Sequence, residues 1–361
     1  MPQQPRRFRL SPRCLPLMLA LGLATPLAGA APTATTTVTA PRPDNFASRV
    51  EVKTFISEMV EKHGFEQAAL LEAFSRISPD PKVLALMNPP KTSIQRSWRN
   101  YRARFLQPVR IDGGLSFWRQ HADALTRASA AHGVPPEIIV AIIGIETVYG
   151  RNTGNFPVMQ SLATLGFDYP SRAPYFRREL EQFLLHAREN GLDPLKARGS
   201  YAGAIGMPQF MPGSIRNFAR DLDGNGQIDL QASPADAIGS VARFLQIHGW
   251  TAGQKTHFPA TLAAGATPQP LLDRGPKPDL SIADLRSHGI TSPLSLPADQ
   301  PLMLVDLVNA DAPPDYVIGT GNFYAITRYN RSFLYAMAVI ELAEALRTRH
   351  QPASPPPVPG R

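Results

Sequence analysis

A chain of 361 residues is long enough to build two or more packed units. Its formal charge of +8 includes Arg6, Arg7, Arg9 and Arg13, leaving +4 for the rest, and no basic stripe with interleaved aromatics is present, so a nucleic-acid partner is disfavoured. The single cysteine, Cys14, leaves everything after it without a thiol, which excludes disulfides, thiolate metal sites and a cysteine nucleophile there.

The four arginines precede an apolar run over 15–27, and Ala28-Gly29-Ala30 offers the small residues of a cleavage site, so residues 1–30 read as a secretory signal. Pro16, Gly22 and Pro26 break that run, which falls short of the roughly 20 apolar residues of a membrane span. Cys14 follows Ser11-Pro12-Arg13 rather than a lipoprotein cleavage box. The expectation is an exported, periplasmic protein, soluble after signal removal and without a lipid anchor, in an oxidising compartment. Residues 31–44, rich in Ala, Thr and Pro, read as a disordered linker, and the Pro-rich 351–361 as a loose tail.

The segment 45–132 reads as an N-terminal helical domain. Val52, Phe55, Ile56, Met59 and Val60 recur at helical spacing, as do Ala69, Leu70, Ala73, Phe74 and Ile77. Trp98, Tyr101 and Phe105 form a further stripe on a basic helix from Ser93 onward, with core packing its plainest meaning.

Within 133–250, Pro135 and Pro136 open a helix with Glu137 in its first turn. Residues 138–145 are apolar all round, so this helix is expected to be buried, and Glu146 follows directly, the one carboxylate between Glu137 and Asp168. Desolvation and the negative end of the helix dipole both favour the neutral acid, which makes Glu146 a candidate proton donor. A helix-end glutamate that reaches water or pairs with Arg151 is the alternative.

An amphipathic helix over 174–190 ends at Gly191, and 199–212 mixes glycines, prolines and small residues with Ser200, Gln209 and Phe210. Glycines let backbone approach a ligand, and Gln209 beside Phe210 offers a sugar a hydrogen bond and an apolar face. Asp221, Asp223 and Asn225 occupy the first, third and fifth positions of an EF-hand-like loop, with Gly226 at the sixth, Gln227 at the seventh and Asp229 at the ninth. Ala232 stands at the twelfth, where a glutamate is usual, and Asp229 and Asp236 are the carboxylates that could compensate in a weak structural calcium site spanning 221–236. Asp236 also fits a capping sequence after Ser233. Between 251 and 322 prolines multiply, and 302–308 and 316–319 read as strands of a small antiparallel β domain. A final helix within 323–350 completes the core.

Three blocks carry a resemblance: Gly144-Ile145-Glu146-Thr147 with Tyr149-Gly150-Arg151, the 199–212 segment, and Ile326-Thr327-Arg328-Tyr329-Asn330-Arg331-Ser332. With Ser161-Leu162-Ala163-Thr164-Leu165 between them, the chain resembles the lytic murein transglycosylase B family. The resemblance implies a mainly α fold, with a lysozyme-like helical catalytic core, and Glu146 as its sole catalytic acid/base. It implies cleavage of the MurNAc-GlcNAc β-1,4 bond of peptidoglycan, with the muramyl C6 hydroxyl attacking to leave a 1,6-anhydromuramyl end. Carried over residue by residue, it makes Ser200, Gln209, Phe210, Tyr101, Arg172, Tyr324, Tyr329 and Asn330 the candidate cleft lining, and it also places a metal ligand at Asp236. Tyr101 could equally be core, Arg172 a surface residue, and Asn330 or Ser332 a helix cap. Ser171 stands where the pattern has a second arginine and Phe244 where it has a tyrosine. No organic cofactor is expected. The expected partner is the glycan strand, proteins of cell-wall synthesis or the divisome are left open, and a monomer is expected. A muramidase using water, or a non-catalytic cell-wall binding protein, are the competing functions.

Overall fold

The computed structural model describes residues 45–88, 97–310 and 312–350. The expected signal (1–30), linker (31–44) and tail (351–361) lie outside the described residues, as do 93–96 of the expected basic helix.

Among the described residues a single 3-10 turn (Phe46–Ser48) is followed by α1 (Val50–His63), α2 (Gln67–Ser75), α3 (Pro81–Met87), α4 (Trp98–Ala103), α5 (Pro108–Gln120), α6 (Ala122–His132) and α7 (Pro136–Thr147). A short antiparallel ladder of β1 (Phe156–Pro157) and β2 (Arg198–Gly199) brackets α8 (Val158–Asp168) and α9 (Ala173–Glu189). After α10 (Pro212–Phe218) and α11 (Pro234–Ile247) comes a β-rich stretch. It contains β3 (His257–Pro259), β4 (Thr261–Leu262), α12 (Gln269–Leu272), α13 (Ile282–Ser287), β5 (Ile290–Thr291), β6 (Met303–Leu307) and β7 (Asp315–Gly319). Helices α14 (Gly321–Tyr329) and α15 (Phe333–His350) follow. The fold is mainly helical with small antiparallel sheets, as the residue patterns lead one to expect.

The main core surrounds α7, whose residues 138–145 are all buried. A helix apolar on every side needs neighbours on every side, and α5, α6, α11 and α15 supply them. Helix α15 returns from far along the chain to lay Ala336, Val339, Leu342 and Leu346 into this core. Full burial of a valine or leucine side chain is worth roughly 1.5–3 kcal/mol.

A second core joins Phe46, Val52, Phe55, Ile56, Leu70 and Phe74 to Val158, Leu162 and Leu165 of α8 and Phe176, Leu180 and Phe183 of α9. The segment 45–132, expected as one helical unit, is thus shared between two cores, because α5 and α6 pack with α7 while α1 to α3 pack with α8 and α9. Helical periodicity shows that a face is buried but not what covers it.

The β-rich stretch has its own core of Phe258, Leu271, Leu280, Leu285, Ile290, Leu302, Leu304 and Ile318. Its sheet runs β3-β7-β6, antiparallel throughout, with Ile318 between Phe258 and Leu304. Beyond β6 the chain reaches α4. The Val308 carbonyl accepts from the Trp98 N–H (2.8 Å) and the Asn309 side-chain oxygen from the Arg99 N–H (3.2 Å), taking up first-turn donors that a helix cannot satisfy internally. Among the described residues no single helix is long and apolar enough to cross a membrane.

Candidate active site and acidic loop

Glu146 projects from the last turn of α7. Immediately beyond it Val148, Tyr149 and Gly150 all take left-handed backbone conformations, with φ of 52°, 61° and 85°. Such a conformation costs a non-glycine residue about 1–3 kcal/mol and persists only where the surroundings enforce it. Thr147 is one enforcer: its buried hydroxyl donates to the Met207 carbonyl (2.9 Å) and accepts from the Gly150 N–H (3.0 Å), tying the helix end to the glycine-rich segment.

The Glu146 side chain keeps partial access to solvent. Protein nonetheless crowds its carboxyl, and desolvation pushes its pKa up to about 7, opposed by a hydrogen bond from the Tyr335 hydroxyl (2.7 Å). Two further phenols feel its charge: Tyr329, pushed well up by burial, and Tyr101 of α4, pushed up to about 12 by burial and then by Glu146. Tyr329 stacks on Tyr335 with ring centroids 6.4 Å apart and donates its hydroxyl to the Pro208 carbonyl. No ion pair reaches Glu146 among the described residues, and Arg151 is exposed. Asp168, the next carboxylate along the chain, is held by Arg49 through two hydrogen bonds of 3.0 and 2.7 Å.

Tyr335 was missing from the residues singled out by sequence, whereas Tyr101 and Tyr329 were among them. Its signal is a lone hydroxyl within an otherwise apolar, buried helix face, since a buried tyrosine needs a polar partner.

The other expected cleft residues divide. Phe210 is 2% exposed, its ring enclosed by Phe244 and Tyr329, so it underlies the site instead of offering a face to a sugar. Ser200 is 4% exposed and closes a turn, its hydroxyl accepting from the Ala204 N–H. Gln209, left-handed at φ 50°, donates its side-chain amide to the carbonyls of Thr153 and Gly206, both at 3.0 Å, and so braces the segment from within. Close backbone approach here is to the protein itself: a Cβ on Gly206 (φ 73°) would lie 2.4 Å from the Leu230 carbonyl oxygen. Arg172, exposed at the start of α9, lies over Tyr175 at 4.6 Å. Burial and then Glu179 push the Tyr175 phenol up to about 12, opposed by the charges of Arg172, Arg178 and Arg331. Tyr324 lies under Arg328 at 5.8 Å, and Asn330 ends α14. Exposed Ser171 precedes α9, and Phe244 fills the space between Phe210 and His248.

The acidic loop gathers Asp221, Asp223 and Asp236, one oxygen of each lying within 4.8 Å of the others. Asp236 is fully buried, and its two oxygens accept from the Leu222 and Asp229 N–H groups, both at 2.9 Å. Ser233 also caps α11 by accepting from the Asp236 N–H, so the capping and carboxylate-cluster readings of this stretch hold together. Asp221 is half-exposed, and hydrogen bonds from the N–H groups of Gly226, Gly224 and Asn225 hold its pKa below the usual range. Three acidic oxygens converging from both ends of a loop match the donor set of a hard cation. Asp229, expected among the ligands, lies outside this three-carboxylate group, and one of its oxygens accepts from the Gln231 and Ala232 N–H groups in a turn. Asn225 accepts from the Gln227 N–H. The loop meets the site where the Leu230 carbonyl accepts from the Met207 N–H (2.8 Å) and Gln231 donates to Thr153 (2.7 Å).

Residues 47–344 match the model of the transglycosylase SLT domain. The chain belongs to the transglycosylase SLT family. Membrane-bound lytic murein transglycosylase B of Escherichia coli (strain K12) is 44% identical over 310 residues, covering 84% of each protein. The structure of catenated lytic transglycosylase SltB1 from Pseudomonas aeruginosa superposes with a TM-score of 0.79 at 42% identity, over 85% of this chain and all of that one. The Escherichia coli lytic transglycosylase Slt35 in complex with calcium gives 0.75 at 41% identity, over 85% and 96%.

Proposed function

We propose that this lytic transglycosylase of peptidoglycan breaks the β-1,4 bond between N-acetylmuramic acid and N-acetylglucosamine, with Glu146 as both acid and base. The observation that carries the reading is a carboxyl kept neutral up to about pH 7 by desolvation, with a phenol and no carboxylate as its partner. Protonated Glu146 gives its proton to the glycosidic oxygen; as carboxylate it then takes the proton of the muramyl C6 hydroxyl, which closes on C1 as a 1,6-anhydro ring. A tethered hydroxyl attacks at high effective concentration, so no second carboxylate is required to activate water. Asp168 cannot readily serve as that second group while Arg49 holds it. Arg172, exposed over the Tyr175 ring, is a cation that suits the carboxylates of stem peptides. Mass analysis of digested glycan tests the reading. Products lighter than the hydrolysis products by one water support it, and products carrying added water would establish a muramidase.

Asp221, Asp223 and Asp236 would hold a calcium ion, with Asn225 and the Gln227 backbone carbonyl as further oxygen donors in an EF-hand-like arrangement. When bound, the ion would offset two of the three negative charges of the clustered carboxylates and tie the two ends of the loop together. We place the protein's work in the periplasm, in line with the secretory reading of 1–30; fractionation of cells expressing the full chain checks this.

A further inference from the structure

We propose that Tyr149 and Arg110 are positioning residues for Glu146, fixing the last turn of α7 through a phenol seated in a slot of glycines. This rests on the reading of Glu146 as the proton donor.

Helix α7 ends with the Val148 N–H on the Gly144 carbonyl and the Tyr149 N–H on the Ile143 carbonyl. The left-handed residue that closes a helix in this way is usually glycine, yet here Val148 and Tyr149 both occupy that region. Something outside the turn must hold it. The Tyr149 ring lies where Gly113 and Gly114 of α5 and Gly144 of α7 have no side chain. A Cβ on Gly144 would stand 2.4 Å from its hydroxyl oxygen, one on Gly114 2.5 Å from the same atom, and one on Gly113 3.1 Å from the ring. Phe117 packs on the ring at 5.5 Å, and the hydroxyl donates to the Arg110 carbonyl at 2.7 Å.

Arg110 completes the brace. Its guanidinium donates to the Gly144 carbonyl (3.2 Å), two residues before Glu146, and to the Arg104 carbonyl (2.8 Å). It also stacks on Phe105 at 5.1 Å, and Phe105 packs against Tyr101 at 5.0 Å. One cation with carbonyls as partners therefore touches the helix that carries Glu146 and the aromatic pair that includes Tyr101. The titratable groups facing Glu146 are Tyr101 of α4, Tyr329 of α14 and Tyr335 of α15, whose phenols ionise far above the carboxyl.

The test uses the full chain with Tyr149→Phe, which removes one hydrogen bond, and Gly144→Ala, which evicts the ring although alanine favours a helix by about 1 kcal/mol. On a soluble glycan fragment, kcat is expected to fall about tenfold in the first and about a hundredfold in the second, since small misplacements of a reacting group carry costs of this order. KM should stay within about twofold. The alkaline limb of the kcat profile should move to lower pH as water reaches the carboxyl, a change that simple loss of fold stability would not cause. Wild-type kcat and an unmoved limb in folded variants would overturn the proposal; if Gly144→Ala does not fold, Tyr149→Phe decides alone. Glu146→Gln runs alongside. If it keeps wild-type activity, the reading of Glu146 is what has failed; if it is inactive while both variants behave as wild type, the positioning proposal alone has failed.

Discussion

Glu146 and Asp221 carry the same functional group, and the chain treats them in opposite ways. Around Glu146 it withdraws water and supplies a single hydroxyl, so the neutral form survives to about pH 7. Around Asp221 it leaves water in place and aims the N–H groups of Gly226, Gly224 and Asn225 at the carboxylate, which keeps it ionised. A carboxyl crowded by protein near a helix C-terminus suits proton transfer, whereas one wrapped by a glycine-bearing turn suits a standing charge and a cation.

The comparison breaks most decisively at Glu146 itself. Glu146→Gln keeps the shape and removes the exchangeable proton, and turnover of soluble glycan should fall about a thousandfold or more, as loss of a general acid does. At the other pole, calcium should raise the Tm of the wild type, and Asp236→Asn should abolish that rise, with a chelator as the control. If that rise is around 2.7 kcal/mol near a hundredfold excess over Kd, its disappearance will be plain in a thermal scan.

A finer probe is Tyr335→Phe. The hydroxyl stabilises the Glu146 carboxylate, so its removal should raise the pKa further and move the alkaline limb of activity upward, opposite to the shift expected for Tyr149→Phe. The smallest effect concerns stability. Glu146 has a folded pKa of about 7 against an ordinary 4.5, so the folded state holds the proton more tightly between those values. Its contribution is fully present below about pH 4.5 and is lost as pH rises through 7. Glu146→Gln should therefore match the wild type in stability change near pH 4 and gain on it by about 1–2 kcal/mol above pH 8, discounted for partial exposure. Denaturant titration at both pH values measures this.

The residues chosen from sequence fare according to what a linear pattern can encode. The buried helix ending at Glu146 was legible because an unbroken apolar run leaves one orientation for a lone carboxylate: at its end. The strands at 302–308 and 316–319 were legible from their apolar content and flanking turns. Side-chain direction in irregular backbone was not. The glycines of 199–212 permit close approach, but to Ala204 and Leu230, so Ser200, Gln209 and Phe210 turn inward. Counting positions in the acidic loop brings Asp221 and Asp223 together correctly. The count gives Asp229 no way to be recognised as the acceptor for a turn, while Asp236, seven residues on, supplies the buried carboxylate. Tyr335 escaped notice because its meaning depends on how α15 crosses α7.

That crossing also bears on how the protein comes into being. The hydroxyl on Glu146 belongs to a residue 189 positions downstream, and the N–H groups of α4 next to Tyr101 are capped from 210 positions downstream. Contacts so distant along the chain close late, since loop closure must precede their reward. A nascent or truncated chain that stops short of α15 carries Glu146 without its hydroxyl partner and with one face of α7 uncovered. Competence to cut the wall is thus acquired only once α15 has emerged and packed against α7.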